Sequence, residues 1–257
     1  MGTFQFEKEY RVHVYETGPD GKLNLYSLFN YMQDIASDHA EKLGFGRNDL
    51  MKDNRFWVLS RMYAVFHNVP LWGNSLIMKT WPDGTDRLFA LRSYEAWFPD
   101  GKPVASASSS WLILDRNTKK VQRPDSLLSR FTAMHNHKLP GKSTLRYASK
   151  IEPADEPFRV TSVHKVKVSD LDVNLHTNNV KYLKWVCDTY DLDFIMNNLP
   201  QSAEINYLAE SMCCEEIVIK TSVDKINPGF YSHSVIRTND NKELCRIRIG
   251  WKNSILQ

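Results

Sequence analysis

The sequence lacks the features that mark membrane, disulfide-stabilised and zinc-binding proteins. No run of about 18 apolar residues occurs, so no membrane-spanning helix is expected. The 4 cysteines form no C-x-x-C pair, which argues against a zinc site or a disulfide framework and favours free thiols in a reducing compartment. An excess of only 33 Lys and Arg over 30 Asp and Glu gives a formal charge of +3, too weak to predict nucleic-acid binding.

What is present describes a folded enzyme or binding protein. The chain has 257 residues, of which 42% are hydrophobic and 25% charged, enough for one large or two ordinary domains. Its first residues contain neither the apolar core of a secretory signal nor the composition of a transit peptide. We therefore expect the protein to act in the cytoplasm.

The same order of elements occurs twice along the chain. The first half has a strand around Tyr10–Val14, a helix between Asn24 and Gly44, and four strand-like stretches separated by Pro/Gly turns. Those four stretches cover 56–66, 75–81, 88–98 and 103–114. The second half has a strand at 158–168, a helix at 178–197, and strands at 203–209, 216–224, 230–237 and 244–251. Short connections favour antiparallel neighbours, so we predict an α+β double (tandem) hotdog fold, each copy an antiparallel sheet wrapped around a long central helix.

Three regions follow from this order. We expect an N-terminal hotdog over residues 1–115, a basic connector over 116–157 and a C-terminal hotdog over 158–257. From Asp115 to Lys150 the chain holds 9 Lys or Arg and 2 Asp. A solvated linker is the simpler interpretation of this segment, and a docking surface for an acidic partner is the alternative.

The polar run at 169–179 indicates a site. Asp172, Asn174 and His176 fall at alternate positions just before a helix, where backbone N–H groups and the helix dipole favour a developing oxyanion. Ordinary capping by Thr177 or Asn178 is the alternative. Capping needs neither so many polar groups nor a histidine, so we favour a functional site.

Glu210 is a candidate general base in the second half. Its apolar neighbours predict a buried carboxylate suited to accepting a proton, although a glutamate of an edge strand is the alternative.

With these residues in place, the sequence resembles the acyl-acyl-carrier-protein thioesterases of plants and bacteria. The resemblance is carried by the runs 170–182, 15–21, 57–62 and 70–73, and extends over nearly the whole chain. It implies a double hotdog in which Asp172, Asn174, His176 and Glu210 occupy the catalytic positions. Ser211 stands where plant members often have cysteine, which favours attack by water over a cysteine nucleophile.

The resemblance implies hydrolysis of the thioester of fatty acyl-acyl carrier protein, which releases a free fatty acid and ends chain elongation. Glu210 and His176 would activate water, while Asn174 and the helix N-terminus would hold the carbonyl. No cofactor or metal is implied. The N-terminal copy would receive the fatty chain along residues Met32, Ile35, Trp57, Leu59 and Met62. The acidic carrier protein would dock on Lys119, Lys120, Arg123 and Arg130.

Four alternatives remain at the sequence level. One is an acyl-coenzyme A thioesterase of the same fold, another a dehydratase, and a third a non-catalytic module that binds fatty acid. A metalloenzyme is weaker, because His135 and His137 have ligand-like spacing without a convincing third ligand. Both a monomer and a homodimer are compatible with two copies in one chain.

Overall fold

The computed structural model describes residues 5–124, 145–153 and 158–254. Within these ranges the helices are α1 (Leu25–Lys42), α2 (Arg47–Lys52), α3 (Asn179–Cys187) and α4 (Leu192–Asn197). The strands of the first half are β1 (Phe6–Arg11), β2 (Arg55–Phe66), β3 (Ser75–Asp86), β4 (Phe89–Trp97), β5 (Pro103–Asp115) and β6 (Val121–Gln122). Those of the second half are β7 (Arg159–Lys165), β8 (Asn198–Tyr207), β9 (Glu216–Val223), β10 (Phe230–Arg237) and β11 (Lys242–Asn253).

All these strands belong to one antiparallel sheet. Their order is β1-β3-β4-β5-β2-β8-β11-β10-β9-β7, with the short β6 paired to β5. The first five positions are the mirror image of the last five, which is the arrangement expected of two copies of one unit. The copies meet where β2 pairs with β8, Tyr63 lying opposite Glu204, and we call this pairing the central seam. The predicted double hotdog fold is confirmed.

Helix α1 supplies the core of the first copy. Leu28, Phe29, Met32 and Ile35 recur at three- and four-residue steps and are all buried. Gly44 follows the helix at φ +72°, a left-handed conformation that glycine adopts without strain and that ends the helix as predicted. No helix of the described ranges is both long and apolar enough to cross a membrane.

Several boundaries differ from the sequence-based expectation, among them the start of β8, which lies at Asn198 instead of residue 203. Strand β1 ends at Arg11, which pairs with Ser75, and Val14–Glu16 forms a 3₁₀ turn instead of continuing the strand. Strand β3 continues through the turn expected at 82–84, because a bulge between Pro82 and Gly84 absorbs these residues without ending the pairing. The helix expected over 178–197 is two helices.

The second of these helices begins at its own cap. Asp191 accepts a hydrogen bond from the backbone N–H of Phe194 at 2.7 Å and so starts α4, with four residues between the end of α3 and the start of α4.

Residues 145–153 of the connector are largely exposed and are also hydrogen-bonded to the sheet that they cross. Residues 145–153 lie over the outer face of the central seam. The Ile151 N–H donates to the Asn206 side chain at 2.8 Å, and that side chain donates to the Ser149 carbonyl at 3.0 Å. Ser108 of the first copy donates to the Arg146 carbonyl at 2.9 Å. The connector therefore contacts both copies.

Candidate active site

The loop between residues 171 and 178 is closed by Asp172. Its Oδ1 accepts hydrogen bonds from the backbone N–H of Asn174 at 2.7 Å and of His176 at 3.2 Å. The Asp172 N–H donates in turn to the His176 carbonyl at 2.8 Å. Leu175 has φ +65°, so the segment turns instead of extending. Asp172 thus positions the backbone of the loop rather than the imidazole of His176.

His176 and Glu210 come together from different elements. Nδ1 of His176 lies 3.4 Å from Oε1 of Glu210, although 33 residues stand between them in the sequence. The side chain of Glu210 is 48% exposed, so the burial expected from its apolar neighbours is wrong. An imidazole beside an accessible carboxylate forms an acid–base pair that water can reach.

Asn174 is contacted by the first copy, and sequence reasoning missed this contact. Nε of Arg47, the first residue of α2, lies 3.4 Å from the Asn174 side-chain oxygen. The amide nitrogen of Asn174 lies 3.5 Å from Asp172 Oδ2. No signal in the sequence predicted the contact, because the two residues are separated by 127 positions and Arg47 belongs to no motif.

Asn178 and Ser211 make hydrogen bonds that fix the start of α3 next to the site. Asn178 caps α3 by accepting a hydrogen bond from the Val180 N–H at 2.9 Å, so this residue has the capping role. The hydroxyl of Ser211 is fully buried and is hydrogen-bonded to Thr177 and to Tyr182, both at 2.8 Å. Burial raises the pKa of Tyr182 to about 12, so its hydroxyl stays neutral. Ser211 therefore ties the segment after Glu210 to the start of the helix.

Asp170 stabilises the turn that precedes the loop. Its carboxylate accepts a hydrogen bond from the Lys167 N–H at 2.9 Å and lies 3.3 Å from His164 Nε2 and 3.6 Å from Lys181 Nζ. Burial alone would raise the pKa of Asp170, but these partners lower it by more, so the net shift is downward. Its role is to fix the turn that leads into the site.

A cavity of about 970 Å³ opens at these residues and extends into the first copy. Asp172, Asn174, His176 and Glu210 all line it. Beyond them it lies between α1 and the strands of the first copy.

Of the five residues expected along the acyl chain, two line this cavity and three do not. Trp57 and Leu59 face the cavity. Met32, Ile35 and Met62 are buried in the core and do not line it. The difference arises because helical and strand periodicity identifies inward-facing residues but cannot tell a filled core from a cavity wall.

The basic residues of the connector are distributed unevenly around the cavity. Lys119 lines it and places its Nζ 5.0 Å from the ring centre of Phe56. Lys120 and Arg123 are exposed and do not line it. Arg130 lies outside the described residues, as do His135 and His137.

The connector contributes a second basic residue to the cavity wall, close to Lys119 in the sequence. Arg116 lines the cavity together with Lys119, although no sequence motif marks it.

Comparison with known proteins identifies the family. The description "Acyl-ACP thioesterase N-terminal domain" matches residues 3–129, and "Acyl-ACP thioesterase C-terminal domain" matches residues 153–253. An acyl-[acyl-carrier-protein] hydrolase, chloroplastic, of Cuphea viscosissima is 24% identical over 266 residues, which cover 96% of this chain and 62% of that protein. The chain thus spans less than two thirds of the length of this relative.

Two solved structures show the same fold. An acyl-ACP thioesterase from Bacteroides thetaiotaomicron superposes with a TM-score of 0.83 at 22% identity, covering 96% of this chain and 98% of that one. The 12:0-ACP thioesterase from Umbellularia californica gives a TM-score of 0.83 at 20% identity and covers 99% of both chains. With both domain descriptions matched in order along one double hotdog, the chain belongs to the acyl-ACP thioesterase family.

Proposed function

We propose that this protein hydrolyses the thioester of fatty acyl-acyl carrier protein, releasing free fatty acid and ending chain elongation. The observation that carries the proposal is the His176–Glu210 pair, 3.4 Å apart, at one end of a cavity of about 970 Å³ in a chain of this family. Water adds its oxygen to the thioester carbonyl carbon, the C–S bond breaks, and the water proton passes through the pair to the leaving thiolate.

Each residue has a role in this reaction. Glu210 and His176 orient the water and accept its proton, in a position that solvent reaches. The Asn174 amide and the N–H groups at the start of α3 face the carbonyl oxygen as it becomes negative. Asp172 keeps Asn174 and His176 in register through their backbones. Arg47 adds a positive charge beside Asn174.

The region 1–115 receives the acyl chain, and the region 158–257 supplies the catalytic groups. This division is supported by the direction of the cavity, which begins at His176 and Glu210 and continues along α1 and β2. One active site per chain follows, because the first copy has no counterpart of the Asp-x-Asn-x-His run.

Chain-length preference provides one test. Leu59 and Met62 are two buried residues of β2 with side chains of similar size, of which only Leu59 lines the cavity. Leu59→Ala enlarges the cavity, so we expect the preferred acyl chain to become longer. Met62→Ala leaves a closed hole in the core, so we expect a loss of about 2–5 kcal/mol in unfolding free energy without a change in preferred length. Product profiles from mixed acyl thioesters measure both. A shift with Met62→Ala but not with Leu59→Ala would contradict the proposed path of the chain.

Carrier docking provides a second test. Lys119, which lines the cavity, and the adjacent exposed Lys120 and Arg123 form a basic surface suited to an acidic carrier protein. For Lys119→Glu combined with Lys120→Glu we expect KM for carrier-linked substrate to rise several-fold at low salt, with a smaller effect on the coenzyme A thioester. Lys225→Glu, an exposed charge reversal away from the cavity, is the control. An unchanged KM in the double variant would remove this surface from the docking site.

The proposal as a whole is tested by thiol release from acyl carrier protein thioesters of graded chain length, run beside the matching coenzyme A thioesters. Rapid release from carrier-linked substrates supports the proposed function. Preferential release from coenzyme A substrates would keep the chemistry and replace the partner. Tight fatty-acid binding without hydrolysis of either series would replace the enzyme with a binding module.

A further inference from the structure

One wall of the cavity carries a guanidinium group. Arg92, on β4, lines the cavity within the first copy. Its Nη1 lies 3.1 Å from Nδ1 of His39 and 3.2 Å from the hydroxyl of Thr80. An arginine only donates, so His39 must accept at Nδ1. His39 is therefore the neutral tautomer with its proton on Nε2. The Thr80 hydroxyl donates its own hydrogen bond to the Ser93 carbonyl at 2.9 Å, so it acts as an acceptor towards Arg92.

Neither partner balances the charge of Arg92. Among the described residues no carboxylate lies within ion-pairing distance of this guanidinium. The contacts to His39 and Thr80 use Nη1 alone, whereas the side chain has N–H donors on three nitrogens. Burial lowers the pKa of Arg92, as expected for a cation surrounded by protein. Its remaining donors, on Nε and Nη2, are available to a ligand in the cavity.

A hydrocarbon chain is a poor match for this wall. A half-buried cation without a counter-charge depends on water for its remaining hydrogen bonds, and a methylene chain would displace that water without replacing a single hydrogen bond. The facing side of α1 is also partly polar, since Gln33 and Ser37 line the cavity beside Ala36 and Ala40.

Arg92 lies well away from the thioester end of the cavity. It pairs across the sheet with Ser109, which pairs with Met62, which pairs with Ile205 of β8. Measured along the sheet, three strand spacings of about 4.8 Å therefore lie between Arg92 and β8, a path on the order of 14 Å. Glu210 lies just beyond the end of β8. A group that meets Arg92 belongs to the distal part of an acyl chain whose carbonyl sits at Glu210.

We propose that Arg92, held by His39 and Thr80, is a polar subsite of the acyl cavity, and that the preferred acyl chain carries an oxygen function at this depth. The shared chemistry is an oxygen that accepts hydrogen bonds from the guanidinium, in a hydroxyl, keto or carboxylate group. This inference rests on the proposed thioester hydrolysis and adds the class of acyl chain that it serves.

The test is a positional scan of one acyl chain. Carrier-linked thioesters of a single length, unsubstituted or hydroxylated at successive carbons, are compared by kcat/KM. We expect the wild type to favour a chain hydroxylated at a distal carbon by about tenfold or more, as a hydrogen bond to a charged group allows. Arg92→Met should remove this preference and favour the unsubstituted chain, while Arg92→Lys should retain part of it.

Two results would overturn the subsite. One is a wild type that prefers the unsubstituted chain against every position of the hydroxyl. The other is an Arg92→Met protein that changes all substrates by the same factor. The wild-type scan alone is decisive if Arg92→Met does not fold. A second series, with a carboxylate in place of the distal hydroxyl, identifies which oxygen function the wild type prefers. A preference for either substituted chain over the unsubstituted one supports the proposal if Arg92→Met abolishes it.

A binding measurement separates this inference from the proposed function. Free hydroxylated and unsubstituted fatty acids of equal length are titrated into the wild type and Arg92→Met by calorimetry, with no turnover involved. Tighter binding of the hydroxylated acid to the wild type alone supports the subsite even if no thioester is hydrolysed. Equal binding of both acids to the wild type overturns it even if hydrolysis is rapid.

Discussion

Replacing Glu210 with glutamine is expected to lower kcat for a carrier-linked acyl thioester by about 10²- to 10⁴-fold, the usual contribution of a general base. The substitution keeps the shape of the side chain and removes its ability to take a proton. The carboxylate is 48% exposed and lies 3.4 Å from His176, so thermal stability should change little. The backbone carbonyl of Glu210 accepts a hydrogen bond from Arg237 at 3.4 Å, and that contact survives the substitution.

Two further variants make this result specific. Glu216→Gln removes an exposed carboxylate six residues further on, outside the cavity, and should leave turnover unchanged. His176→Ala should lose rate to a similar extent, and the double variant should lose little more, because residues that act as one unit are strongly non-additive. Single-turnover rates measure the chemical step directly. A Glu210→Gln protein within about twofold of the wild type would rule out this residue as the base.

The polar run before α3 could be read from sequence because its chemistry is local. Asp172, Asn174 and His176 lie within five residues and all line the cavity. Their alternate spacing did not reveal the local backbone, since the segment turns at Leu175. The proximity of Glu210 to His176 was implied only by the family resemblance, because no spacing rule connects a loop with the end of a strand so far along the chain.

Arg47 and Arg92 were missed for a physical reason. Each is an ordinary charged residue in a helix or strand. Each has a role only because the fold brings a distant residue into contact with it, Asn174 for Arg47 and His39 for Arg92. Arg47 meets Asn174 only because the two hotdogs share one sheet. Arg92 interrupts an otherwise strand-like stretch, yet alternation alone cannot separate an outward, solvated arginine from one that points into a cavity.

The order of elements was predictable because hydrophobic periodicity and turn residues act over short distances. The residues at which the helices and strands begin and end were less predictable. Pro82 and Gly84 have the composition of a turn, but pairing with β4 on the far side of the bulge keeps them in the strand. Likewise Glu204 and Asn206 look like solvent-facing residues of a strand, and only the structure shows that residues 145–153 cover them.

Glu204 is the residue on which the covering segment depends most. Its side chain is only 8% exposed, although it lies on the outer face of the central seam. One oxygen accepts from Arg146 Nη1 at 2.8 Å and from the Ser149 N–H at 2.7 Å, and the other accepts from Arg146 Nη2 at 2.9 Å. The guanidinium of Arg146 also lies 3.8 Å from the ring centre of Tyr63, the residue of the first copy that pairs with Glu204 across the seam. A bidentate ion pair between the buried Glu204 carboxylate and the half-exposed Arg146 guanidinium thus fastens the connector to both copies.

Glu204→Ala is therefore expected to lower the free energy of unfolding by about 1–3 kcal/mol, because the Ser149 N–H loses its buried acceptor, whereas Arg146 is half exposed and regains water. The matched control is Glu152→Ala, which breaks the exposed pair with Lys150 on the same segment, 3.5 Å long, and should cost less than about 1 kcal/mol. Chemical denaturation at neutral pH measures both. Equal losses would show that Glu204 does no more than an exposed carboxylate.

The same residue should make stability depend on pH. Burial alone would raise the pKa of Glu204, but Arg146 and the Ser149 N–H lower it by more, so the folded value lies below the ordinary 4.5. A carboxyl group with a lowered folded pKa contributes stability that is complete above its unfolded pKa and is lost as pH falls through the folded one. The stability difference between the wild type and Glu204→Gln should therefore be constant near neutrality and shrink as the pH is lowered below about 4.5. A difference that stays constant through this acid range would mean that the charge of Glu204 contributes nothing, and that the segment is held by its neutral hydrogen bonds alone.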